Sequence, residues 1–288
     1  VRQAQIRMKS TLMLFIAVLC LGFSPCEASD GLQVRVWTDK SNFLAHEPIV
    51  VRFKVTNNWD RKHCINLIKM SEDFIIEDNQ GRVYVSHLRG MNMGRDLLEP
   101  GGTRHSSVEV SGLYKVVNVG EYTCYCQSVG CPAVLNSPSV TSDTARFRVI
   151  QPQGREKEAL DRLMEIATLE RPDPEDSVFL EYQGLADRYP KSVYAPKALD
   201  AAAGVYFYSQ NLEQRRRVIP VCMRLIEEYP DSYYFILAFT MLVHTYEILK
   251  DKEGAIKTIH KLIKKHPNTR ISAEAERRLK QVEEWGFE

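Results

Sequence analysis

Neither sign of charge dominates this sequence: 38 lysines and arginines stand against 37 aspartates and glutamates in 288 residues. Binding to nucleic acid or an anionic membrane rests on clustered positive charge, so no nucleic-acid partner is expected. The densest basic run, Arg215-Arg216-Arg217, reads as a solvated turn or helix start. No apolar run reaches the roughly 20 residues that a bilayer-crossing helix needs. The marks of common catalysts are also missing: no His-Glu-x-x-His metal helix, no Gly-x-Ser-x-Gly elbow, no phosphate-cradling Gly-rich loop ending in Lys-Ser or Lys-Thr. The seven histidines are scattered, with no pair four apart on a predicted helix. Glu170, Asp173, Glu175 and Asp176 cluster around a Pro-rich turn as a solvated loop would. Met91-Asn92-Met93-Gly94 reads as loop packing. No catalytic residue, metal or cofactor is therefore expected.

The N-terminus carries a sharp signal. Arg2, Arg7 and Lys9 precede the apolar run Thr11 to Phe23, which ends in Ser24-Pro25-Cys26-Glu27-Ala28-Ser29. A positive flank, a short apolar segment and a small residue before the cut are what the secretion machinery reads. Residues 1–28 are expected to be a signal peptide cleaved after Ala28, leaving no transmembrane segment. Export would put Cys64, Cys124, Cys126 and Cys131 in an oxidising space, where disulfides are the expected state. Four cysteines allow three connectivities; Cys126–Cys131 closing a loop with Cys64–Cys124 crossing the fold is the expected one. A thiolate zinc site with His63 is the alternative. It is disfavoured because zinc sites usually use paired Cys-x2-4-Cys knuckles and only one loose pair exists.

From Gly31 to about Ile150 the apolar pattern has period two, as in Leu32, Val34, Val36 and in Ile49, Val51, Phe53, Val55. Turn residues punctuate it at Asn57-Asn58, at Asp78-Asn79-Gln80-Gly81 and at Glu99-Pro100-Gly101-Gly102. Short strands at such spacing favour a two-sheet arrangement over residues 30–151. The segments HEPIVVRFKVTNN, FIIEDNQGRVY, LEPGGTRHSSVEVSGLY and VGEYTCYC resemble bacterial immunoglobulin-like modules. That resemblance implies an immunoglobulin-like sandwich whose Tyr122 hydrogen-bonds backbone at a tyrosine corner. The strand Ile49 to Val55 carries no cysteine, so the inter-sheet bridge of antibody domains has no usual place here.

After Gln151-Pro152-Gln153-Gly154 the period becomes helical. Three anchors repeat: Tyr189-Pro190, Tyr229-Pro230 and His266-Pro267. Eight residues beyond each proline lies Ala198, Ala238 or Ala275, and twelve beyond lies Ala202, Leu242 or Leu279. Two beyond lies Ser192, Ser232 or Thr269, each a suitable helix N-cap. Each proline ends a second helix because it cannot donate the next backbone bond. Glu156 to Leu169 and Val178 to Tyr189 predict a preceding helix pair, and Ser272 to Trp285 a terminal one. The form LIEEYPDS…A…Y…GAIKTIHKLIKKHPNT resembles the tetratricopeptide repeats of bacterial envelope proteins, which implies a helical solenoid over residues 155–288 with a concave face that grips peptides.

The expected fold class is thus two-domain: an all-β immunoglobulin-like sandwich followed by an all-α tetratricopeptide-type helical repeat solenoid. The expected function is that of a non-catalytic interaction scaffold, periplasmic or otherwise associated with a bacterial cell envelope, binding a protein or peptide partner. Tyr194, Lys197, Tyr234, Leu237, Met241 and His244 are the expected concave-face contacts, and Cys222 an inert core residue. The alternative is a proteinase inhibitor acting through the first domain, with the loop Gln127 to Thr144 as the inserting element.

Overall fold

The alternating segments do form strands. The computed structural model describes residues 31–65, 73–86, 96–129, 139–168 and 174–286. Its first part contains β1 (Leu32–Thr38), β2 (Asn42–Leu44), β3 (Val50–Asn57), β4 (His63–Ile65), β5 (Phe74–Asp78), β6 (Val83–Tyr84), β7 (Asp96–Leu98), β8 (Thr103–Glu109), a short helix α1 (Val110–Leu113), β9 (Gly120–Val129), β10 (Ser139–Thr141) and β11 (Ala145–Ile150). These divide among three sheets. One has the order β1-β3-β8, one has β2-β11-β9-β5-β6 with β10 added to β9, and β4 pairs only with β7. Every second side chain on β1, β3, β5 and β11 is buried, as a strand with one wet face requires. Phe53 and Phe74 meet at 5.4 Å between ring centroids, and Tyr122 stacks on Phe147 at 5.5 Å, inside one apolar core.

This corrects the expected fold class. The described residues are mixed, at 47% helix and 24% strand, and their β part is a small one split among several sheets, not an all-β immunoglobulin-like sandwich. The physical reason lies in strand length and direction. β2, β4, β6, β7 and β10 have only two or three residues, well below the usual five or six or so. β2 runs parallel to β11, with Phe43 opposite Val149. Period-two alternation reports which face of a strand is buried; it says nothing about how strands distribute among sheets. The backbone bond inferred for Tyr122 is present all the same, its hydroxyl donating to the Asn118 carbonyl at 2.8 Å.

Side chains stand in for the missing ladder bonds. Asn57, fully buried at the end of β3, donates through Nδ2 to the carbonyls of Arg61 (2.8 Å), Leu98 (3.0 Å) and Glu99 (3.2 Å) and accepts from the Trp59 N–H at 3.1 Å. Its backbone carbonyl takes the Gly101 N–H at 2.8 Å, where φ of +71° suits glycine. Asp78 closes the β5–β6 turn, accepting from the N–H groups of Gln80 (2.9 Å) and Arg82 (3.0 Å) and from Arg82 Nε at 2.7 Å.

No disulfide joins the described cysteines. The expected Cys64–Cys124 crossing is not formed: Cys64 sits on β4 opposite Leu97, whereas Cys124 is buried on β9 opposite Ala145 and Ile76. Burial, with Cys126 adding to it, pushes the Cys124 thiol up. The expected Cys126–Cys131 loop falls partly outside the described residues, as do the expected signal peptide and Met91 to Gly94.

The second part packs helices α2 (Gly154–Ala167), α3 (Pro174–Arg188), α4 (Ala195–Phe207), α5 (Leu212–Arg216), α6 (Val218–Glu228), α7 (Tyr234–Ile248), α8 (Lys252–Lys265) and α9 (Arg270–Glu283). Helices α3, α6 and α8 each end two residues before Pro190, Pro230 and Pro267. Pro220 has no N–H for the Arg216 carbonyl, which accounts for the break between α5 and α6. Ala198, Ala238 and Ala275 are buried at helix contacts, and Cys222 joins the core that holds Ala238 and Ala275. Of the three expected caps, Thr269 alone forms a capping box, with Ser272. Ser192 accepts the Tyr194 N–H two residues on (3.1 Å) and donates to Glu156 (2.6 Å), while buried Ser232 Oγ has no partner among the described residues.

Replacing Asn57 by Ala should cost about 3 kcal/mol, because three carbonyls and one N–H lose their buried partner. A thermal melt checks this: a fall of roughly 6–12 °C is expected for a chain of this size, and an unchanged melting temperature would show that water replaces the side chain freely.

Candidate partner-binding groove

Helices α4 and α7 run side by side in the same direction. Near their starts Asp200 interacts electrostatically with Tyr233 and Tyr234, and near their ends Phe207 meets His244 at 5.5 Å between ring centroids. The residues of α4 on this side follow helical spacing: Lys197, Asp200, Gly204, and Phe207 with Tyr208. Those of α7 are Tyr233, Ile236 with Leu237, Thr240 with Met241, and His244. Tyr208 is 79% exposed, Tyr233 38%, and Ile236 and Leu237 37% each, large side chains that packing would otherwise bury. A Cβ built on Gly204 meets nothing within 4 Å, so α4 has free space beside it at that point.

The expected contact residues divide into two groups. Tyr194 and Lys197 are used inside the chain. The fully buried Tyr194 hydroxyl donates to the Ala45 carbonyl at 2.6 Å, and Lys197 Nζ to the His46 carbonyl at 3.1 Å. His46 has φ of +64°, and Glu47 holds the turn by accepting the Leu44 N–H at 2.8 Å and pairing with Lys40. Leu44 packs with Val193 against the cluster of Leu160, Leu163 and Tyr194. This joint ties the strands to the first turn of α4 and leaves beside it a cleft of about 340 Å³ lined by Phe43, Pro48, Pro196, Tyr233 and Tyr234 among others. Tyr234 is buried, and desolvation raises its hydroxyl pKa. The other three, Leu237, Met241 and His244, are carried by α7. Leu237 and His244 are exposed there and Met241 is half-buried.

Sequence reasoning passed over Asp200, Phe207, Tyr208 and Tyr233. Stepping from Lys197 by three, seven and eleven residues would have reached Asp200, Gly204 and Tyr208. Asp200 is half-buried, and its carboxyl is raised to about 6 by desolvation, with Lys197 pulling the other way. Lys197 itself is lowered by burial, against the pull of Glu109 and Asp200. Glu109 is occupied at the start of α1, accepting from the Ser111 N–H at 2.8 Å and the Gly112 N–H at 3.0 Å. His244 Nδ1 lies 3.0 Å from Glu247, and Thr240 accepts from Arg278 at 2.8 Å.

Among the described residues no three His, Cys, Asp or Glu side chains stand together as metal ligands would. No described helix is long and apolar enough to cross a membrane. Of the loop Gln127 to Thr144, residues 130–138 lie outside the described residues; its flanks form a hairpin in which Thr141 faces Gln127.

No protein-family model and no curated protein matches the chain. Among solved structures, an alkylpurine DNA glycosylase from Pseudomonas fluorescens bound to DNA with an abasic-site analogue is 11% identical, with a TM-score of 0.27. The similarity covers 43% of this chain and 31% of that one, so the chain spans less than a third of the glycosylase. The CARDB domain of a Pyrococcus furiosus protein is 9% identical over 43% of this chain and 99% of its own, at a TM-score of 0.24. A putative lipoprotein from Bacillus subtilis is 13% identical over 78% and 86%, at 0.23. Scores this low bear on neither fold nor function.

Asp200 also makes a stability statement. A carboxyl that holds its proton more tightly when folded favours folding only in its protonated form. That contribution is complete below the ordinary 3.8 and lost as pH rises through about 6. Asp200→Asn should therefore be more stable than wild type at pH 7.5, by on the order of 1 kcal/mol after allowing for partial exposure. The gap should close by pH 4. Melting curves at the two pH values check it, and an equal gap at both would mean that the charge is not the cause.

Proposed function

We propose that the protein is a non-catalytic interaction scaffold that holds a segment of another protein in the groove between α4 and α7. One observation carries this reading: Tyr208 at the end of α4 and Tyr233, Ile236 and Leu237 at the start of α7 are large and exposed on neighbouring helices, with free space beside Gly204. Aromatic and aliphatic side chains of this kind are enriched at the cores of protein interfaces, where they supply area at small entropic cost. The joint at Ala45 and His46 supports the reading further, because it pins the first turn of α4 and so presents one wall of the groove preformed. The reading keeps the expectation of export into a bacterial cell envelope. What supports that is the positive flank, the apolar run from Thr11 to Phe23 and the small residues that follow.

The test is a crosslinking pull-down from native cells with the full chain as bait, comparing wild type with Leu237→Asp and Tyr208→Ala. Both residues are exposed, so both variants should melt within about 2 °C of wild type, which is the scale of a surface substitution. A defined set of proteins should be captured by wild type, and Leu237→Asp should deplete it at least about tenfold, the equivalent of roughly 1.4 kcal/mol. Capture of the same set at the same yield by both variants would remove the groove from the account.

A further inference from the structure

We propose that Asp200 selects the partner of this groove by taking up one cationic side chain, an arginine or a lysine, from an otherwise apolar protein segment. The inference rests on the groove reading and adds to it the chemistry of what is bound. Asp200 stands on the second turn of α4, half-buried, with Lys197 one turn before it and the open space at Gly204 one turn after. No donor among the described residues hydrogen-bonds its carboxylate. Lys197, on the same helix face, acts on it only through space, since its Nζ donates to the His46 carbonyl at 3.1 Å.

The remaining polar groups along the groove have partners of their own. His244 lies 3.0 Å from Glu247, Thr240 donates to the Ile236 carbonyl at 3.0 Å and accepts from Arg278, and Glu109 caps α1. Asp200, under the through-space pull of Lys197 alone, is thus the charged group of the groove that no hydrogen bond holds. A segment laid on Leu237 and Tyr208 also strips water from it. An apolar or acidic side chain arriving there leaves a buried carboxylate unpaired, whereas a guanidinium or ammonium gives it a charge-assisted bond. Tyr233, exposed, lies within electrostatic reach of Asp200, and an aromatic face adds to the attraction for a cation. The discrimination comes mainly from the penalty on the wrong partner, which is how a single buried charge acts as a filter.

A random peptide library displayed on phage, panned in parallel on full-length wild type, Asp200→Asn and Leu237→Asp, tests this. Peptides enriched on wild type should share one Arg or Lys among apolar residues. In fluorescence anisotropy, exchanging that residue for Met should weaken binding about tenfold to wild type, the scale of a buried charge-assisted bond. The same exchange should weaken binding less than about twofold to Asp200→Asn, where the charge pair is already absent. Leu237→Asp should abolish binding of both peptides. Enrichment without a basic residue, or an equal loss on wild type and Asp200→Asn, overturns the role of Asp200 and leaves the groove standing. Peptides indifferent to Leu237→Asp, or no enrichment over the bare support, overturn the groove and this inference together.

Discussion

The structure turns on two hydrogen bonds from one helix to one tight turn. Tyr194 and Lys197 donate to consecutive carbonyls, Ala45 and His46, which the left-handed backbone of His46 turns outward. The Tyr194 bond is buried and short, at 2.6 Å, and an unsatisfied carbonyl there would cost about 1–3 kcal/mol. Once α4 is seated, α3 and α6 pack on it and α7 lies alongside it. The groove takes its shape from that stack, so a turn more than a hundred residues upstream helps to shape a surface on the helices.

The β part faces a different constraint. Its smaller strands cannot hold themselves by ladder bonds, and in place of length it uses side chains that saturate several backbone groups at once. Asn57 serves four such groups, and Asp78 serves two N–H groups as well as the Arg82 guanidinium. Both are buried polar residues at strand ends. Each turns a place where a sheet would fray into one where the chain can reverse.

Much of the local structure was legible in the residues themselves. The alternation at Leu32, Val34 and Val36 and at Val51, Phe53 and Val55 marks buried faces, and these residues are buried. The prolines after Tyr189, Tyr229 and His266 mark helix ends for a steric reason that no tertiary context can cancel. The division into three sheets was not legible, because it depends on the parallel pairing of the three-residue β2 with β11, which leaves no periodic trace. The candidate site was half legible for a similar reason. Leu237 and His244 follow from helical spacing on α7 alone, whereas Tyr194 looks like a free aromatic until the Ala45 carbonyl is known to sit opposite it. Asp200 was missed because a carboxylate in a sequence gives no sign of how much water it keeps.

The joint also sets an order of events. Its two bonds span 149 and 151 positions along the chain, while the helix pairs close over a few tens of residues. Loops that long close late, after the contacts within each part have formed. During synthesis the turn at His46 leaves the ribosome well before α4 exists, so the strands wait with the Ala45 and His46 carbonyls still in water. Seating Tyr194 then takes the Ala45 carbonyl out of water and gives α4 a fixed bearing on the sheets. A chain halted before residue 194 would hold a finished turn with nothing to clasp.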